Sequence, residues 1–391
     1  MIERILHKDV QEYIDTNLKS DIHKLILKGS PFPEITVQEL ANQIVSKQKC
    51  EKKLPIWFNS KNIYYPPKLN LEQTSSEVTA NYKSSLVSGE SIIDLTGGFG
   101  VDSYYFSKRF SSVIYCEINS ELSEIASHNF TALEVTNIQA ISENGIEYLQ
   151  NTKEVFDCIY IDPSRRNDAK GKVFLLEDCE PNVPENIELL FKKSKTVLLK
   201  VSPILDITSA INELNFVKEI HVVALNNDVK ELLFLLEKDY ASEIEIKTTN
   251  FSKKEVIKFS FTYNSEIVSK YNLPLKYLYE PNAAILKSGG FHQITSKFDV
   301  CKLHQHSHLY TSNGLISFPG RSFKINAIMS YDKKKIRKVI KDGKANITTR
   351  NFPKTVVLIR KELKLKDGGT SYLFFTTNLN NELICILCQK A

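Results

Sequence analysis

Ser91-Ile92-Ile93-Asp94-Leu95-Thr96-Gly97-Gly98-Phe99-Gly100-Val101-Asp102 is the stretch on which the fold assignment turns. A short apolar run ends in an acid, a glycine-rich turn follows, and a helical segment opens at Val101. Glycines let the backbone turn tightly and let a ligand approach it closely. A carboxylate at Asp94 repels a pyrophosphate but suits a cationic amino-acid ligand. The dinucleotide fingerprint is also broken, because its last glycine would fall where the chain has Ser103.

Outward from this turn, short β-branched runs alternate with helical segments. Candidate strands are 91–95, 112–117, 137–141, 156–161, 196–201, 219–224 and 231–236. The alternation predicts an α/β fold, a mostly parallel seven-stranded sheet with helices on both faces. The last two strands, joined through Asn226-Asn227-Asp228, read as an antiparallel hairpin at one sheet edge. Residues 1–70 read as a helical region: Ile5, Val10, Ile14 and Leu18 fall at helical spacings, and Thr36 can cap a helix through Leu40 and Ile44. Residues 71–240 form the core. Residues 241–391 read as a small α+β region, with strands at 243–248 and 256–262 and a helix near 281–287. Its end reads as strand, basic helix 333–341, strand, helix 353–363 and strand 371–376.

Composition narrows the function classes. The chain has 391 residues, 42% apolar and 25% charged, which is a globular composition rather than a disordered or fibrous one. No run approaches the ~18 apolar residues of a membrane span, and the start lacks a secretory signal pattern. The seven cysteines are scattered and several sit in apolar stretches, as reduced thiols do. A cytoplasmic location is the expectation. Charge is polarised: residues 1–240 carry 26 Lys plus Arg against 35 Asp plus Glu, and residues 241–391 carry 25 against 11. Residues 321–366 alone hold 15 basic and 3 acidic side chains, an electrostatic footprint for nucleic acid or a lysine-rich solvated surface.

Polar residues mark the ends of successive strands. Glu117 ends the second, 23 residues beyond Asp94, and can accept both hydroxyls of a ribose. Asn144 follows the third and offers an adenine edge both donor and acceptor. The fourth runs into Asp162-Pro163-Ser164-Arg165-Arg166. A lone C-x-x-C, Cys385 to Cys388, lacks the second ligand pair of a zinc site. His304, His306 and His308 alternate as on one face of a strand and read as solvated or hydrogen-bonded, so no metal is expected.

Together these strand ends resemble a class I S-adenosylmethionine-dependent methyltransferase, whose first loop carries D-x-x-x-G-x-G, matched at Asp94, Gly98 and Gly100. The resemblance implies a Rossmann-like sheet whose cofactor, S-adenosyl-L-methionine, is held by Asp94, Thr96, Gly97, Gly98, Gly100, Glu117 and Asn144. Asn144 stands where an acid is commoner. It also implies a reactive tetrad at Asp162, Pro163, Ser164 and Arg165, in place of the D/N-P-P-Y/F/W of amino-group methyltransferases. In those enzymes the carboxylate and a backbone carbonyl orient an exocyclic amine. Ser164 and Arg165 depart from that pattern. Asp-Pro-Pro-Arg occurs in uracil-C5 enzymes, but these need a cysteine after the next strand, and Leu199-Lys200-Val201-Ser202-Pro203 has none. Arg165 and Arg166 can clamp phosphate or stack on a base. Lys200 can approach a phosphate or sit in an ion pair.

Further stretches are similar to one bacterial methyltransferase family ending in a THUMP-like domain. They include Glu72-Gln73-Thr74-Ser75-Ser76-Glu77, Tyr279-Glu280-Pro281-Asn282, Gly320-Arg321-Ser322-Phe323 and Arg350-Asn351-Phe352-Pro353. THUMP domains bind RNA, so the resemblance implies methylation of a base exocyclic amine in tRNA or rRNA, docked through the basic C-terminal region. The alternative is a non-catalytic RNA-binding scaffold on the same fold. A small-molecule or protein methyltransferase leaves the basic C-terminal portion unexplained.

Overall fold

The computed structural model describes residues 1–165 and 175–391; Arg166 lies outside them. The chain divides into two compact units, Met1–Lys218 with Leu233–Ser242, and Glu219–Leu232 with Glu243–Ala391.

In the first unit the parallel strands are β1 (Ser91–Asp94), β2 (Ser112–Cys116), β3 (Ile138–Ile141) and β4 (Phe156–Ile161). Two short strands follow, β5 (Ser164–Arg165) and β6 (Cys179–Glu180), then β7 (Ser194–Val201). The order is β7-β4-β1-β2-β3, with every pairing parallel. β1, β4 and β7 are apolar almost throughout, because helices cover the sheet on both faces. The N-terminal helices belong to this unit rather than to one of their own. Val37–Lys53 is capped by Thr36, as the sequence implied, and the structure adds a capping box with Glu39. Its buried face shares one core with Trp57, Phe99, Tyr104, Tyr115 and Phe130. The helices are therefore packed directly behind the glycine turn.

β8 (Val217–Leu225) and β9 (Asp228–Glu237) form a hairpin turned by Asn226 and Asn227 at φ of 50° and 65°, and its Glu219–Leu232 portion belongs to the second unit. The hairpin is not an edge, however. β8 pairs in parallel with β10 (Glu245–Phe251), which pairs antiparallel with β11 (Val256–Thr262). The remaining strands are β12 (Tyr277–Pro281), β13 (Cys301–Lys302), β14 (Tyr310–Ser312), β15 (Gly320–Ser330), β16 (Asn346–Arg350), β17 (Tyr372–Thr377) and β18 (Leu383–Lys390). They form a sheet in the order β13-β14-β12-β15-β18-β17-β16. Helix Val356–Leu363 connects the parallel pair β16 and β17 and buries Ile359 and Leu363 on Leu373 and Phe375. The basic helix is found at Lys333–Val339. His304, His306 and His308 do not alternate along a strand. They lie in the turn between β13 and β14, and His308 has a φ of 49°. Among the described residues no helix is long and apolar enough to cross a membrane.

Candidate active site

The C-terminal ends of parallel strands leave backbone groups and loops facing a crevice, and β1, β2 and β4 bring their polar residues there. Gly98 takes the left-handed backbone conformation at φ 56° and has open space where a side chain would project. Its N–H donates to Glu117 at 2.8 Å, and Asn119 N–H donates to the other Glu117 oxygen at 2.8 Å. Both oxygens of Glu117 are thereby fixed at the end of β2, and each keeps a lone pair. Tyr115 closes the turn from below, its hydroxyl donating to the Gly98 carbonyl at 2.6 Å. Gly97 and Gly100 answer to this packing: a Cβ on Gly97 would lie 2.1 Å from the Tyr115 ring, and one on Gly100 would lie 2.5 Å from Phe130.

Asp94 is placed differently from the expectation of a ligand contact. It is fully buried, accepting from Thr96 N–H at 3.0 Å and from the Ser103 hydroxyl at 2.6 Å. It thus organises the turn from inside. Burial pushes its carboxyl up to about 7, with Ser103 and Thr96 pulling against that and Asp102 and Asp162 adding to it. Asn144 is likewise redirected. Its side-chain oxygen caps helix Gly145–Asn151, accepting from Ile146 N–H at 2.9 Å and Glu147 N–H at 3.3 Å, so only its amide N–H groups remain to read a base. Gly145 behind it is forced by close approach, since a Cβ would sit 2.4 Å from the Leu95 carbonyl oxygen.

At the end of β4, Asp162 N–H donates to the Thr96 hydroxyl at 2.7 Å, which ties the reactive tetrad to the glycine turn. One Asp162 oxygen pairs with Lys200 from the end of β7, so Lys200 takes the ion-pair alternative. Ser164 and Arg165 form β5 and pair antiparallel with Glu180 and Cys179.

A buried network that was not legible in the sequence supports this edge. Asp102, in the first turn of the helix after the glycine turn, ion-pairs with fully buried Lys83 at 3.1 Å. It also accepts from Ser75 at 2.9 Å and Tyr160 at 2.8 Å. Burial works to raise the Asp102 carboxyl, but Lys83, Lys200, Tyr160 and Ser75 outweigh it and hold it below the usual range. The Gln73–Ser76 segment therefore does two things: Ser76 caps helix Glu77–Ser84, and Ser75 reaches Asp102.

Comparison with known proteins follows this geometry. A protein of Porphyromonas gingivalis W83 named as a methyltransferase superposes over 100% of this chain and 98% of its own, with a TM-score of 0.87 and 32% identity. This chain belongs to the same methyltransferase family. Residues 277–319 match a ferredoxin-like domain family, and residues 320–390 match a THUMP domain-like family. The methyltransferase part has curated relatives of partial length. An uncharacterized RNA methyltransferase of Mycoplasma mobile is 29% identical over 92 residues, 24% of this chain and 25% of the relative. A ubiquinone/menaquinone biosynthesis C-methyltransferase of Francisella tularensis is 30% identical over 128 residues, 32% of this chain and 51% of the relative. The chain thus matches a quarter and about half of their lengths.

The crevice of this methyltransferase passes a simple chemical test for a cationic nucleoside. Its strand-end side chains Glu117 and Asp162 are acids, its glycine turn is open at Gly98, and Lys200 is already paired with Asp162.

Proposed function

We propose that this crevice binds S-adenosylmethionine and that the protein methylates an exocyclic amine of an RNA base, in tRNA or rRNA. The observation that carries the reading is Asp162, held by Thr96 and Lys200 on the same sheet edge as Gly98 and Glu117. When bound, the cofactor supplies an electrophilic methyl on a sulfonium centre, so little acid–base activation is required. Gly98 and Glu117 hold the nucleoside part, Glu117 accepting the ribose hydroxyls. The amide of Asn144 faces the adenine side. Asp162 keeps one oxygen outside its ion pair, and Pro163 contributes no N–H to compete for it. That oxygen accepts from the amine and points the nitrogen lone pair along one line, and positioning of this kind supplies most of the acceleration. Lys200 holds the carboxylate in one orientation.

The test has two parts. Calorimetry with S-adenosylmethionine and its demethylated product is expected to show binding to wild type and to Asp162→Ala alike. Transfer of labelled methyl to RNA from a deletion strain is expected to fall at least about 10²-fold in the variant. Absence of binding by either nucleoside overturns the reading. The scaffold alternative has one observation on its side, the Lys200 ion pair that already occupies Asp162. Methyl incorporation by wild type excludes it.

A further inference from the structure

Three sequence stretches that identify the family but have no part in the crevice chemistry converge on one carboxylate in the second unit. Glu280, from Tyr279-Glu280-Pro281-Asn282, has a side chain only 4% exposed. Arg321, from Gly320-Arg321-Ser322-Phe323, donates to it through Nε at 2.8 Å and also through Nη2. Arg350, from Arg350-Asn351-Phe352-Pro353, donates through Nη2 to the other oxygen at 2.8 Å. Two guanidiniums thus share one anion, which leaves an excess of one positive charge. Their side chains are 43% and 35% exposed, and Arg350 Nε is buried with no partner among the described residues.

The surroundings deepen the excess. Lys302 is fully buried, and its ammonium donates to the Gln305 carbonyl at 2.9 Å, with no carboxylate paired to it among the described residues. Burial lowers its ammonium to about 8. His308 stacks on Phe291 at 3.6 Å with a buried, unpartnered Nδ1. Burial first, and then Lys302, Arg350, His306 and His292, lower its imidazole to about 4. The four neighbours with the largest charge effect on His308 are all basic residues. A fold that keeps cations under-compensated in this way leaves room for an anion.

Beside Arg350 in the chain is a cleft of about 500 Å³, lined by Thr349, Asn351, Phe352, Pro353 and Thr377 at the C-terminal ends of β16 and β17. Two threonine hydroxyls, an amide and one aromatic ring suit a nucleoside better than an apolar ligand. The Asn351 amide is already set by the His304 ring at 3.0 Å, and Thr377 donates to the Asn351 carbonyl at 2.6 Å.

We propose that Arg321 and Arg350, set on Glu280, hold a phosphate of single-stranded RNA, and that the attached nucleoside enters the cleft between Thr349 and Thr377. Guanidinium geometry matches phosphate oxygens, and the Glu280 carboxylate fixes both forks while leaving donors free. The proposal rests on the RNA reading above, but it concerns binding and is testable without methyl transfer.

The experiment uses the full chain and a fluorescein-labelled oligouridylate, with anisotropy followed from low to physiological salt. Arg321→Gln and Arg350→Gln are each expected to weaken binding about fivefold and to reduce the slope of log K against log salt by about 0.7, as for one lost contact to single-stranded nucleic acid. Arg350→Lys, which keeps the charge, is expected to recover the slope in part. Circular dichroism checks folding, and calorimetric affinity for S-adenosylmethionine is expected to stay at the wild-type value. Uridine 5′-monophosphate is expected to displace the oligonucleotide at lower concentration than inorganic phosphate. Equal displacement overturns the nucleoside cleft. A folded Arg321→Gln protein with wild-type affinity and slope overturns the phosphate site and makes the cluster a structural ion pair. Loss of methyl transfer with these binding results intact counts against the catalytic reading alone.

Discussion

The two compact units satisfy particular buried charges to different degrees. Around the crevice of the first unit, fully buried Asp94 accepts from the Thr96 N–H and the Ser103 hydroxyl, and largely buried Asp102 is held by Lys83 and the Ser75 and Tyr160 hydroxyls. In the second unit Lys302 is removed from water with the Gln305 carbonyl and the Phe291 ring as its partners, and two arginines divide one glutamate. A buried charge costs free energy unless it is paired and hydrogen-bonded. The first arrangement is largely complete, and a further cation adds to it. The second leaves one carboxylate between two guanidiniums and, among the described residues, none paired with Lys302. The contrast is the physical ground on which the proposals above place a cationic cofactor in one unit and a polyanion in the other.

The sharpest way to break this comparison is to make the same change in both units. Lys83→Met strands Asp102 without its cation and is expected to cost about 3–5 kcal/mol, read by denaturant unfolding. A loss below 1 kcal/mol would mean that the network is not the support described. Glycine substitutions come next. Gly145→Ala drives a Cβ into the Leu95 backbone and is expected to cost about 1–3 kcal/mol, together with cofactor affinity. Gly314→Ala, in the second unit, has nothing within 4 Å and is expected to leave the melting temperature unchanged.

Titration sharpens the comparison further, because the two buried groups give slopes of opposite sign. The Asp94 carboxyl is raised from 3.8 to about 7 by burial, so the folded state holds the extra proton and stability falls as pH rises across that window. Asp94→Asn is expected to flatten this slope. Burial lowers Lys302 from 10.5 to about 8, so the unfolded state holds the extra proton and stability rises with pH between those values. The smallest effect belongs to Lys302→Met. It is expected to change stability at neutral pH by no more than about 1 kcal/mol, to remove the alkaline slope and to weaken oligouridylate binding.

Much of the first unit was legible because its signals are local. A strand, a glycine turn and a helix follow one another within twelve residues, and the alternation of β-branched runs with helical segments carries on from there. Thr36 announced its helix through Leu40 and Ile44 from the sequence alone. The residues proposed for the candidate site were named from the sequence, but their hydrogen-bond partners were not. Asp94 and Asn144 were placed in the right loops, but a short polar side chain beside free backbone N–H groups bonds to those groups before it reaches a ligand. Lys83 gave no signal, since a lysine on a helix reads as solvated unless its partner is known, and Asp102 reaches it only once helix and sheet are packed. The histidine stretch misled for a related reason: alternation in sequence implies a shared face only if the backbone is extended, and here it turns.

By itself, the sequence determined which elements form and in what order, that acids mark the ends of the central strands, and that positive charge gathers toward the C-terminus. These follow from periodicity, turn chemistry and composition, which act over a few residues. Tertiary structure alone decided which of those acids face the crevice and which are folded inward. It also decided that Glu280, Arg321 and Arg350, separated by dozens of positions, meet at one point. The reason is that burial and charge pairing are set by distance in space, and strands far apart in the chain become neighbours only when the sheet is built.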